Sequence, residues 1–242
     1  TDAGDFKYCI SALKFWQLIR VFMASKFDKK LVVCLGAHRS GTSMLTASIA
    51  ALGADAKIDE TYANPENQKG FFEHPRLIVL NDILLERLGS TWDAPCFDYA
   101  TSAANVDLVD IFQDAVEFIS TTFHDVPLAL IKDPRVCMVL PFWVRVFEHC
   151  GYAQGSVKYI HILRSPYEAA VSQFLRSQNN PIFYEFGKDI REGAILWRTY
   201  IQTSFAQYDE QNTQLVWHKD LLRSPLKVGN QVAKFLDVNS DD

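Results

Sequence analysis

Several features that would mark a chain as one kind of protein are scarce here. There are five cysteines in 242 residues, an odd number, with no Cys-x-x-Cys pair. Cys9, Cys34, Cys96, Cys137 and Cys150 are scattered, and no histidine stands at ligand spacing from any of them. A disulfide framework and a metal site are therefore not expected, and reduced thiols in a cytoplasmic setting are. Positive charge is short as well: 24 Lys and Arg against 29 Asp and Glu leave a net −5. Dedicated nucleic-acid binders carry a basic balance, so no nucleic-acid partner is expected. A small anionic ligand is not excluded, because such sites are local. Long apolar runs are missing too. The most apolar early stretch, residues 9–25, is broken by Lys14, Gln17 and Arg20, and reads as an amphipathic helix, not a transmembrane segment. Internal repeats and low-complexity tracts are absent.

What is present is a core-forming composition, 48% hydrophobic, and an alternation of short apolar runs with longer amphipathic ones. Strands are expected at 30–35, 127–131, 157–163 and 214–217. Helices are expected near 8–25, 43–52, 75–88, 105–123, 136–149, from Pro166 onward, 187–208 and 221–236, with irregular chain at 53–70 and 89–104. This order predicts an α/β, three-layer fold with a central, mostly parallel sheet flanked by helices. Residues 1–29 read as a helical extension that offers an oligomer or partner contact through residues 1–30, and 30–242 as one domain. Ligands on such sheets bind beyond the carboxyl ends of the strands. Three strand exits carry charge, at Arg39, at Lys132-Asp133 and at Arg164, so all three are expected on one edge.

The first exit is the most informative. Residues 31–43, LVVCLGAHRSGTS, form a buried strand, a glycine turn and a helix start, the arrangement of a P-loop that cradles an anion with backbone N–H groups and a helix N-terminus. Gly36 and Gly41 have the spacing of a triphosphate-binding loop, but Thr42 stands where that loop needs lysine. Arg39 lies inside the turn instead. The loop is suited to a phosphate-like group with less charge than the tail of ATP. At the third exit, Arg164 precedes Ser172 by eight residues, and Pro166 is placed to open the helix between them. Arg and Ser so spaced reach one anion from two sides. At the second exit, Lys132 stands directly before the breaker Asp133-Pro134, with Arg135 following. The plain alternatives are an empty glycine turn, a surface Arg–Ser pair and a solvated charge cluster in which Asp133 pairs with Arg135.

Together these residues resemble a PAPS-dependent sulfotransferase of the bacterial and Golgi-like branch (PAPS is 3′-phosphoadenosine 5′-phosphosulfate). The stretch Gly36, Ala37, His38, Arg39, Ser40, Gly41, Thr42, Ser43 resembles the family's 5′-phosphosulfate loop, Arg164 to Ser172 its 3′-phosphate motif, and Lys132-Asp133-Pro134 its lysine-bearing strand end. The resemblance runs from about residue 31 to the end. It implies a P-loop fold, PAPS as donor with adenosine 3′,5′-bisphosphate as product, no metal, and Lys132 neutralising the bridging oxygen as it leaves. It also implies a general base after the first helix, for which Glu73 and its neighbour His74 compete. If Glu73 serves only to cap the following helix, the role passes to His74 or elsewhere. The resemblance implies an acceptor hydroxyl or amine, and carbohydrate, lipid, peptide and small-metabolite acceptors all stay open. Tyr62, Phe71, Trp92 and Phe97 are candidate walls, Asp93 and Asp98 make that region mildly acidic, and Phe174 to Gly187 is a candidate lid. The sequence departs from the family pattern at His218-Lys219-Asp220, where Tyr-Glu-Asp is usual, and relatives usually continue past Leu236. A P-loop nucleoside or nucleotide kinase and a non-catalytic nucleotide-binding module remain as alternatives.

Overall fold

A computed structural model of the chain describes residues 29–58, 72–153, 155–179 and 186–238. The expected helix at 8–25, Tyr62, Phe71 and residues 180–185 of the expected lid lie outside the described residues.

Four strands form one sheet: β1 (Lys30–Leu35), β2 (Leu128–Lys132), β3 (Val157–Leu163) and β4 (Thr213–Trp217). Every pairing is parallel, in the order β2-β1-β3-β4. The α/β architecture expected from the alternation is the one observed. β1 is buried on both faces, which is why it reads as a continuous apolar run. Alternate residues feed two cores. Leu31, Val33 and Leu35 face one core with Phe118, Trp143 and Tyr200, while Val32 and Cys34 face the other with Leu45, Ile160 and Val232.

The helices are α1 (Thr42–Ala50), α2 (Pro75–Arg87), α3 (Tyr99–Ala103), α4 (Val109–Thr122), α5 (Leu140–His149), α6 (Pro166–Asn179), α7 (Ile190–Phe205), α8 (His218–Arg223) and α9 (Pro225–Leu236). Three differ from the sequence reading. The helix expected at 221–236 is two helices, because Pro225 lacks an N–H and is tolerated only at the first turn of a new helix. The helix expected at 136–149 starts as a 3-10 turn, Pro134–Cys137, whose entry Asp133 caps by accepting from the Arg135 N–H. The loop 89–104 contains α3, where the Asp98 carboxylate accepts from the Thr101 N–H. In the stretch read as irregular, Asp55 bridges to the β2 edge: its N–H donates to Leu128 O and its carbonyl accepts from Leu130 N–H. That contact covers part of an edge that would otherwise be open.

β1 lies between β2 and β3, so the connection from β1 to β2 runs to one side of β1 and the connection from β2 to β3 crosses to the other. Such a reversal opens a crevice at the carboxyl edge, and the three charged exits converge there. Among the described residues, no helix is long and apolar enough to cross a membrane, and no cluster of His, Cys, Asp and Glu is arranged to hold a metal.

Candidate active site

The glycine turn after β1 is shaped by close approach. A Cβ on Gly36 would stand 2.7 Å from the Ile162 side chain, and one on Gly41 would stand 2.5 Å from the His218 ring. Gly41 also has φ 91°, a left-handed conformation that L side chains rarely adopt. Arg39 adopts such a conformation too, φ 64°, at a cost of order 1 kcal/mol. Its side chain reaches the helix that follows the β3 exit. No side chain caps the N-terminus of α1, so this end of the helix dipole opens on the crevice.

The crevice is a cleft of about 660 Å³, within the range of small-molecule sites. His38, Arg39, Gly41, Thr42 and Ser43 line it from the turn, Lys132 and Pro134 from the β2 exit, and Arg164 and Ser172 from the β3 exit and α6. Two hydrogen bonds lock the first and third exits together. Arg39 Nε donates to Ser172 Oγ at 3.0 Å, and Arg164 Nη1 donates to the Arg39 carbonyl at 2.9 Å. Two motifs 125 residues apart in sequence thus form one continuous cationic wall.

At the opposite end Lys132 Nζ meets Glu73 Oε1 at 2.5 Å and Ser43 Oγ at 3.4 Å. The two charged side chains are only 2% and 11% exposed. Burial raises the Glu73 pKa above its ordinary value, while the Lys132 charge pulls the other way. Lys132 therefore stands between the helix N-terminus and a carboxyl group held closer to neutrality than a surface glutamate. Phe72, with φ 54°, delivers Glu73 into the cleft. His38 is held neutral: burial and the surrounding cations Arg135, Arg176, Lys132 and Arg39 push its pKa well below the usual histidine range.

No family model and no curated protein matches the sequence. Solved structures match the fold. The chain aligns over 88% of its length with 75% of the sulfotransferase domain from the curacin biosynthetic pathway, at 18% identity and a TM-score of 0.51. The sulfotransferase domain of the Synechococcus PCC 7002 olefin synthase aligns with 88% of this chain and 76% of its own, at 18% identity and TM-score 0.50. Sulfotransferase STF9 of Mycobacterium avium aligns with 87% of this chain and 64% of its own, at 12% identity and TM-score 0.53. The fold is that of the sulfotransferases.

In this sulfotransferase fold not every residue singled out from sequence reaches the cleft. Gly36 supports the turn from below, its N–H donating to Cys137 Sγ at 3.2 Å. Ala37 is buried. Ser40 is fully buried and its N–H donates to the Ala37 carbonyl, closing the turn. His74 stands at the N-cap of α2, where Nδ1 accepts from the Arg76 N–H at 3.2 Å and the ring lies on Phe118. The capping role considered for Glu73 thus falls to His74, and Glu73 is the one of the two that lines the cleft. Trp92 packs edge-on against His38, and Phe97 joins the larger core. Asp93 is buried and accepts from Thr91 and from the Phe186 N–H, and Asp98 caps α3. Sequence reasoning placed Arg176 only within the candidate lid; residues 174–179 belong to α6, and Arg176 lines the cleft one helical turn beyond Ser172. The signal was there: positions i and i+4 share a helix face. It also missed the wall that α1 and its C-cap contribute through Met44, Ala47, Ser48 and Ala51, and the part that Phe72 contributes.

Proposed function

We propose that the protein is a sulfotransferase that moves a sulfuryl group from PAPS to an acceptor hydroxyl or amine. The observation that carries the reading is the Arg39–Ser172 and Arg164–Arg39 linkage, which supports two anion subsites along one wall of one cleft. PAPS has two separated anionic ends, a 5′-phosphosulfate and a 3′-phosphate, and no polyphosphate tail. The uncapped start of α1 with Arg39 is suited to the first, and Arg164 with Ser172 to the second. Thr42 in the place of the triphosphate lysine fits the same donor.

Transfer forms a bond from the acceptor oxygen or nitrogen to sulfur and breaks the bond from sulfur to the bridging oxygen of the 5′-phosphate. The acceptor's proton goes to the Glu73 carboxylate. The negative charge that develops on the phosphate is met by Lys132 and the helix N-terminus. Lys132 and Glu73 are paired before the donor arrives. A donor that draws the ammonium toward its bridging oxygen weakens that pair and leaves a buried, more basic carboxylate beside the acceptor. Donor binding and base activation are then one event. Charge stabilisation and positioning are the main contributions available in a site of this kind.

The test is direct. The protein is incubated with sulfur-labelled PAPS and a panel of carbohydrate, lipid and small-metabolite acceptors, without added metal. Label transferred to an acceptor, with adenosine 3′,5′-bisphosphate released in equal amount, is the expected result. Tight magnesium-ATP binding together with phosphoryl transfer would replace the reading with a kinase. Bisphosphate binding without transfer to any acceptor would reduce it to a nucleotide-binding module.

A further inference from the structure

Behind the glycine turn, between α6 and α7, lies a second, small space of about 10 Å³, the room one water molecule needs. His38, Gln173, Trp197 and Tyr200 are among its walls. The helices meet tightly beside it: a Cβ on Gly193 would stand 3.0 Å from the Ala170 Cα. Among the described residues, eight buried side-chain polar atoms lack a hydrogen-bond partner, and four of them are carried by three residues that line this space: His38 Nε2, Gln173 Oε1, Gln173 Nε2 and Trp197 Nε1. The Tyr200 hydroxyl has no proton to spare for them, because it donates to the Trp92 carbonyl at 2.5 Å. A buried polar atom left without a partner costs about 1–3 kcal/mol, and an apolar cavity of this size stays dry while a polar one with two to four partners does not.

We propose that this space is a site for one ordered water, and that Gln173 and Trp197 act through it as positioning residues for His38. The chemistry sets the direction. An indole N–H only donates, so the water accepts from Trp197. The Gln173 amide supplies a further partner. With Trp197 Nε1 and Gln173 Nε2 both donating to it, the water has its two O–H groups left to donate, one of them to His38 Nε2, and a neutral imidazole that accepts at Nε2 carries its own proton on Nδ1. His38 lines both this space and the main cleft and is the immediate neighbour of Arg39. The network therefore ties α6 and α7 to the turn and fixes one tautomer of the ring at the cleft wall. The consequence for donor binding rests on the proposed function; the water and the tautomer do not.

The test uses nitrogen-15 histidine spectra of the whole protein, with a high-resolution crystal structure of the wild type. Density for one water between Trp197 Nε1 and His38 Nε2, and a single Nδ1–H tautomer of His38, are expected. Trp197→Phe removes the N–H but keeps an aromatic ring, and Gln173→Met keeps the length of the side chain. Both are expected to convert the His38 signal to a tautomer mixture and to weaken adenosine 3′,5′-bisphosphate binding about five-fold, as loss of about one hydrogen bond would. A merely structural role would leave the tautomer unchanged. An empty space in the crystal, or an unshifted His38 in both variants, overturns the proposal. If the tautomer shifts as expected while the wild type binds no bisphosphate, the water site stands and the sulfotransferase reading falls.

Discussion

At one end of the cleft Lys132 and Glu73 face each other with side chains 2% and 11% exposed; at the other, Arg164 and its helix neighbour Glu168 are 23% and 58% exposed. The charges are similar and the surroundings are not. In a nearly dry site a unit charge interacts strongly with whatever charge appears beside it, and in a wet one the same charge is screened. The dry end is thus fitted to stabilise charge that arises only during reaction. The wet end is fitted to hold a charge present throughout. The first kind of contact shows in kcat and the second in affinity.

The largest effect should come from the dry end. Glu73→Gln is expected to lower turnover by about 10²–10⁴-fold, the range of a general base, with bisphosphate affinity nearly unchanged in a calorimetric titration. Near-normal turnover would remove Glu73 from the mechanism. Lys132→Ala is expected to follow, lowering kcat by about 10²–10³-fold and affinity much less. Equal losses in both would make Lys132 a simple binding residue and erase the contrast between the ends. Arg164→Ala should do the opposite, weakening bisphosphate about 10–100-fold, as loss of a charge-assisted contact to phosphate would. Its affinity for adenosine 5′-monophosphate, which lacks the 3′ group, should fall much less.

A smaller effect sharpens the same contrast through pH. Burial holds the Glu73 pKa above its ordinary 4.5, and Lys132 lowers it. Because the base must be ionised, kcat/KM should fall as pH drops through a value above 4.5. Removing Lys132 removes the lowering influence, so the acid limb of the Lys132→Ala profile should lie at higher pH than in the wild type. An acid limb that stays put would show that the pair is not coupled in solution.

How much of this was legible beforehand follows from the reach of each physical signal. Strand exits could be read because a buried apolar run ending in Gly36, in Asp133-Pro134 or in Ser165-Pro166 leaves little choice of where the chain turns. The Arg164–Ser172 arrangement was readable because Pro166 fixes the helix start and eight residues give about two turns. The Glu73–Lys132 pair was not, since it joins residues 59 apart through a left-handed Phe72 that no pattern announces. Within the turn, sequence alone could not say that Ser40 is folded inward while Thr42 and Ser43 line the cleft, because all three are small hydroxyl residues. His74 and Glu73 were likewise indistinguishable as cap and base, because either side chain can accept from a helix N–H. Trp92 and Phe97 looked like pocket walls because aromatic side chains serve cores and ligands alike.

The central claim is that both ends of the cleft hold one nucleotide. Its most direct measurement is a calorimetric titration of the wild-type protein with adenosine 3′,5′-bisphosphate, adenosine 5′-monophosphate and magnesium-ATP, the first two without metal. The account predicts that the bisphosphate binds about 10–100-fold more tightly than the monophosphate, and more tightly than magnesium-ATP. Equal affinity for bisphosphate and monophosphate, or a preference for magnesium-ATP, would contradict it.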